Sequence, residues 1–250
     1  MKRWLGLFAL FPFLVAAGEF EPTLVVQTGK MVEGDLVIRN ITDLGANKTC
    51  LAFYIRTSGT SPVIQCYNAS SGFGADLTQV GHIKSEELIV RKVVDHKNRM
   101  NCVVGYVSTP GTSPAVACYP YQYKFKGEIS EAGHLHEGDL HVFRIVDPAN
   151  MKVCLVSYVQ TDKTKPDILC YDSTAGKRGG LYQASYLREG DLIVRKIKDA
   201  ESGMACLVTY VSTPETKTHL YCYPEGTAPT APAAPTGSGG TKTPSAMPKG

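Results

Sequence analysis

The stretch DLIVRKIKDAESGMACLVTYVSTPETKTHLYCYP, residues 191 to 224, holds three short runs of β-forming residues separated by two turns. Asp191 to Ile197, Cys206 to Val211 and His219 to Tyr223 are rich in β-branched and aromatic side chains. Asp199-Ala-Glu-Ser-Gly203 and Ser212-Thr-Pro-Glu-Thr216 carry the turn residues between them. Upstream, Leu181 to Leu187 reads as a further strand. It is joined through Arg188-Glu-Gly-Asp191, with glycine where a positive φ is cheap. The unit is a four-stranded antiparallel meander.

The same unit occurs four times with a period of 52 residues and no gap. Its first cysteine is Cys50, Cys102, Cys154 and Cys206; its second is Cys66, Cys118, Cys170 and Cys222. Further columns keep the frame: Leu36, Leu88, Leu140 and Leu192; Asp43, Asp95, Asp147 and Asp199; Tyr54, Tyr106, Tyr158 and Tyr210; Tyr67, Tyr119, Tyr171 and Tyr223. A fixed period of this length means supersecondary units that bury their surfaces against one another. The Glu-Gly-Asp turn recurs at Glu33-Gly34-Asp35 and Glu137-Gly138-Asp139. The second copy has Ser85-Glu86-Glu87 there, which predicts a different turn geometry.

In a symmetric hairpin of the third and fourth strands, Cys50 opposes Cys66, and the arithmetic repeats in every copy. Directly opposite residues bring Cβ atoms within bridging distance, so the predicted disulfides are Cys50–Cys66, Cys102–Cys118, Cys154–Cys170 and Cys206–Cys222. Each closes a 15-residue loop, worth roughly 3 kcal/mol in the chain-entropy model. The cysteine face continues through Ala52, Val104, Val156 and Val208. The opposite face carries Leu51, Val103, Leu155 and Leu207. Strands apolar on both faces must be sandwiched between neighbours. The fold class expected is all-β, with four antiparallel meander repeats forming a four-bladed β-propeller. The alternative is two tandem β-sandwich or barrel domains of 104 residues, since the second and fourth copies share the strings VRK, YVSTP and CYP.

Residues 1–17 read as a secretory signal peptide: Lys2 and Arg3, an apolar run, then small residues at Ala16, Ala17 and Gly18. The repeats are expected over 22–224, as 22–73, 74–125, 126–177 and 178–224. Residues 225–250, rich in Pro, Thr, Ala and Gly, bury too little to order themselves and are expected to be a disordered tail. An exported chain with an even cysteine count predicts a secreted or periplasmic protein with paired cysteines. No membrane span is expected after signal cleavage. Of the net charge of +3, the signal region carries two units and the tail one, leaving the repeats neutral. That gives no electrostatic footprint for nucleic acid.

No nucleophile elbow, HExxH or Walker loop occurs, and no cofactor is implied. Paired cysteines are poor nucleophiles. No metal is expected; the nearest group to a ligand cluster is His134-Leu135-His136 with His141, where positions 134 and 136 share a strand face. The aspartate column reads as turn-opening residues that accept bonds from their own backbone. Arg39, Arg91 and Arg195 share a column that could receive an anion. Tyr67, Tyr119, Tyr171 and Tyr223 point away from the cysteine face and are the candidate surface platforms. The reading these columns favour is a non-enzymatic binding or scaffold protein, multivalent for an extracellular or periplasmic glycan or protein. The alternative is an enzyme or metal-binding protein with one site in a central channel or near His134, His136 and His141. The composition contrast predicts that limited proteolysis, followed by mass spectrometry, removes the segment after Glu225 before it cuts within the repeats.

Overall fold

The computed structural model describes residues 25–69, 74–121, 127–173 and 180–226. The signal peptide and almost all of the tail expected from the sequence lie outside them. The described residues form sixteen strands and no helix. The first sheet is β1 (Val25–Glu33), β2 (Leu36–Asp43), β3 (Lys48–Ile55) and β4 (Val63–Asn68). The second is β5 (Leu77–Ser85), β6 (Leu88–Asp95), β7 (Met100–Val107) and β8 (Ala115–Pro120). The third is β9 (Ser130–Glu137), β10 (Leu140–Asp147), β11 (Lys152–Val159) and β12 (Asp167–Asp172). The fourth is β13 (Leu181–Glu189), β14 (Leu192–Asp199), β15 (Met204–Val211) and β16 (His219–Pro224). Each is an antiparallel meander whose strands pair in chain order. The fold is therefore all-β, in four repeated units.

The cysteine arithmetic holds. Cys50 stands opposite Cys66 in the β3–β4 ladder, Cys102 opposite Cys118, Cys154 opposite Cys170 and Cys206 opposite Cys222. All four pairs are disulfides, with Cα atoms 4.0 to 4.1 Å apart. The second-copy turn corrects an expectation. Glu86 adopts φ +53°, the same left-handed conformation as Gly34 (+62°), Gly138 (+66°) and Gly190 (+59°). The turn is unchanged, and a residue with a Cβ occupies the position that favours glycine.

The sheets stack in order with one polarity. Leu36, Ile38, Leu51, Phe53 and Ile55 of the first sheet pack on Ile89, Val93, Cys102, Val104 and Tyr106 of the second. The second sheet packs likewise on Phe143, Ile145, Cys154, Val156 and Tyr158 of the third, and the third on Ile193, Ile197, Cys206, Val208 and Tyr210 of the fourth. Every junction sets the cysteine face of the later sheet against the opposite face of the earlier one. Full burial of a large apolar side chain is worth roughly 1.5–3 kcal/mol, so a junction outweighs the disulfide beside it.

The β3–β4 type loops stitch successive sheets together. Gly111 N donates to Ser58 O (2.8 Å), Thr112 Oγ1 to Thr164 O (2.9 Å) and Lys165 N to Thr216 O (3.0 Å). Residues of all four sheets, including Gln65, Ser113, Lys165 and Lys217, line one cavity of 230 Å³ beside these loops. The arrangement is propeller-like in that respect, but the ring is not closed. Successive sheets pack through pairs such as β4/β8, β8/β12 and β12/β16, and among the described residues no comparable packing joins the first sheet to the fourth. A pairing of two-sheet halves describes the same order equally well.

Two junctions contain buried ion pairs. Lys92 Nζ lies 2.6 Å from Asp147 Oδ2, and Arg144 Nε donates to Asp199 Oδ2 at 2.8 Å. Burial alone would raise the Asp199 carboxyl, but bonds from Arg144, Tyr171 and Ser202 outweigh it and hold the group below the ordinary carboxylate value. A pKa depressed on folding adds stability above the unfolded value, about 3.9, and that stability is lost as pH falls through the folded value. Arg144→Ala is expected to cost about 3–5 kcal/mol at pH 7, because it strands a buried carboxylate. In urea titrations the gap to the native protein should narrow as pH falls from 7, because the stranded carboxyl, kept buried without its guanidinium, takes up a proton at a higher pH than the native group does.

Candidate functional site

The repeat columns are mostly engaged between sheets. Tyr67 donates to Asp95 (2.6 Å), Tyr119 to Asp147 (2.7 Å) and Tyr171 to Asp199 (2.7 Å). Burial and the facing carboxylate push these three hydroxyls far above the ordinary tyrosine value. The aspartates also cap their own turns as expected: Asp95 Oδ1 accepts from Lys97 N and Asn98 N, and Asp199 Oδ1 from Glu201 N and Ser202 N. Tyr223, on the last sheet, has no later sheet to meet and is only half-buried.

Arg39, Arg91 and Arg195 form a second recurring cluster. Each donates through Nε to a tyrosine of the neighbouring strand, Tyr54, Tyr106 or Tyr210, at 3.0 to 3.2 Å. Each donates through Nη1 to Gln27, Gln79 or Gln183 at 2.6 Å. Tyr106 and Tyr210 then donate back to Asp35 and Asp139 of the preceding sheet. Burial and Asp139 raise the Tyr210 hydroxyl against the pull of Arg195, to about 12. Arg91 and Arg195 are thus buried positioning groups for the turn of the sheet before them.

The third sheet breaks this cluster. Phe143 stands where the other repeats have arginine, Glu131 where they have glutamine, and His141 where they have Val37, Ile89 and Ile193. In their place is a stack of rings. His134 lies on Phe143 with centroids 4.0 Å apart, His136 on His141 at 4.1 Å, and His141 on Tyr158 at 4.8 Å. His134 and His141 sit on neighbouring strands β9 and β10, and His134 Nε2 is 3.1 Å from His141 Nδ1. Glu86, from the β5–β6 turn of the second sheet, brings Oε2 to 3.3 Å from the same Nδ1. Gln160 Oε1 accepts a hydrogen bond from Nε2–H of His141 at 3.3 Å, which leaves Nδ1 as the nitrogen without a proton. Burial pushes the His141 imidazole below its ordinary value.

Of the three histidines read from the sequence, 134 and 141 converge. His136 shares their stack, but its Nε2 turns to Gly138 O at 2.8 Å. Sequence reasoning missed Glu86 and Gln160. The signal for Glu86 was present in its column, Gly34, Glu86, Gly138 and Gly190, where it alone has a side chain. A surface groove of 450 Å³, lined by Glu87, Thr109, Gln160 and Thr161 among others, opens beside the cluster. Comparison with family models, curated proteins and solved structures finds no match for this chain. Because Glu86 holds a left-handed backbone, Glu86→Gly is expected to stabilise the fold by roughly 1 kcal/mol, read from the chemical-denaturation midpoint.

Proposed function

We propose that this is an exported, non-enzymatic scaffold protein that binds a protein partner through the two outer faces of its sheet stack, and that the partner is a second copy of the chain, joined head to tail. Four disulfides suit an oxidising compartment, extracellular or periplasmic. The observation that carries the reading is where apolar surface is exposed. Eight of the ten large apolar residues exposed among the described residues lie on those two faces. Val25, Val32 and Ile64 are on the cysteine face of the first sheet. Tyr182, Leu187, Leu192, Val211 and Tyr221 are on the opposite face of the fourth. Contiguous exposed apolar surface marks an interaction site.

The internal junctions supply the register. Inside the chain, a tyrosine at position 119 or 171 and a cation at 92 or 144 converge on the aspartate of the next sheet. On the last sheet the equivalent tyrosine and cation are Tyr223 and Lys196, with Lys196 Nζ 5.9 Å from the Tyr223 ring centre. The aspartate without an earlier sheet is Asp43. In the reverse sense, Tyr54 lacks the preceding acid that Tyr106 and Tyr210 have, and Asp191 lacks a following tyrosine. One head-to-tail contact pairs Tyr223 and Lys196 with Asp43, and Tyr54 with Asp191. Such a contact is heterologous and propagates unless a rotation closes it. A glycan reading would need the Tyr67 column free, and three of its four members are already bonded across junctions.

Sedimentation of the signal-cleaved protein is expected to show concentration-dependent oligomers. Asp43→Lys or Lys196→Asp should each abolish them by like-charge repulsion, and an equimolar mixture of the two variants should restore them. A monomer at every concentration, or single variants that associate like the native chain, would refute the proposal. Such a monomer in which cysteines placed at 43 and 223 crosslink within one chain would show that the ring closes on itself instead.

A further inference from the structure

We infer that Glu86, His134 and His141 form a binding site for one divalent transition-metal ion of the zinc class, bridging the second and third sheets. They are the only group of three such side chains among the described residues whose ligand atoms converge, all within 4.8 Å of one another. The spacing suits a shared ion. Ligand atoms about 2.0–2.2 Å from a tetrahedral centre stand roughly 3.3–3.6 Å apart. His134 Nε2 to His141 Nδ1 is 3.1 Å, and Glu86 Oε2 to His141 Nδ1 is 3.3 Å. An imidazole pair with a carboxylate selects borderline ions such as Zn²⁺ over Ca²⁺, which needs six or more oxygens. Three protein ligands leave a fourth position for water or an anionic group, reached from the solvent side where Glu86 is exposed.

A second observation, independent of the distances, points the same way. Two of the three residues, Glu86 and His141, depart from their repeat columns. Glycine is the rule at 86, a β-branched aliphatic residue at 141, and the column of His134 varies through Lys30, His82 and Tyr186. Glu86 and His141 are unique in their columns, come from different repeats, and meet at one junction. Glu86 does so at a backbone angle of +53° that a side chain disfavours. Gln160 supplies the outer contact: by accepting a hydrogen bond from Nε2–H of His141 it fixes the tautomer that offers Nδ1 inward. His136 is not among the three residues whose ligand atoms converge, and its Nε2 is bonded to the Gly138 carbonyl.

The test is calorimetry and equilibrium dialysis of untagged, signal-cleaved protein with Zn²⁺ alone, and with Ca²⁺ as the selectivity control. One Zn²⁺ per chain is expected, with a rise in melting temperature because the ion ties two sheets together, and no uptake of Ca²⁺. Glu86→Gly and His141→Ile install residues that other repeats carry at those columns, so both should fold, and both should lose stoichiometric uptake. Gln160→Ala should weaken binding about tenfold or more, while His136→Lys, matching Lys84 of the second copy, should leave it intact. Ring-nitrogen NMR of the native chain gives a readout without any variant: Zn²⁺ should shift Nε2 of His134 and Nδ1 of His141. Absence of stoichiometric uptake, uptake that survives both Glu86→Gly and His141→Ile, or shifts confined to His136 or His82 would overturn the assignment.

Discussion

A sheet that is apolar on both faces cannot meet water on either without loss, and the rest of this structure follows from that constraint. Each meander here is such a sheet. Leu51 and its equivalents line one face and Ala52 and its equivalents the other, so no repeat is satisfied alone. The junctions are directional, since the cysteine face of a later sheet always meets the opposite face of an earlier one. Direction then governs the polar groups. A tyrosine reaches forward 28 residues to the next aspartate, and another reaches back 71 residues to the preceding turn. These bonds lie within the apolar junctions, where leaving a polar group unpaired is costly.

The repeat made much of this fold legible before any coordinates. The hairpin arithmetic that set Cys50 opposite Cys66 needed only symmetry and a period-two pleat, and it carried over to all four copies. The two-faced apolar pattern correctly implied stacking. The partners of the tyrosines were not legible, because strand alternation gives the face a side chain is on but not what that face meets. Tyr67 does point away from the cysteine face, and what lies there is Asp95 of the next sheet rather than solvent. Arg91 read as part of a column that could receive an anion, and it is clamped instead between Tyr106 and Gln79.

The candidate site shows a further limit. His134 and His141 could be named from composition, but Glu86 lies in another repeat and joins them only because consecutive sheets stack. Ser85-Glu86-Glu87 suggested a changed turn; the backbone kept the turn and placed an acid on it. Departure from a column is informative in a repeat protein because three internal references say what the position needs structurally. At 86 that is glycine, and at 141 an aliphatic side chain.

The four disulfides are alike in sequence context and unlike in accessibility. Cys102, Cys154 and Cys206 lie inside junctions, each covered by the sheet before it. Cys50 and Cys66 lie on the outer face of the first sheet, and Cys66 is exposed. Thiol–disulfide exchange requires a thiolate to reach a sulfur, so a reductant meets the Cys50–Cys66 bridge first; in each of the other three one sulfur is buried and its partner, Cys118, Cys170 or Cys222, is half-buried. The first repeat therefore answers most readily to the redox poise of its surroundings while the remaining bridges are partly shielded, and whatever covers that outer face extends the same shielding to it.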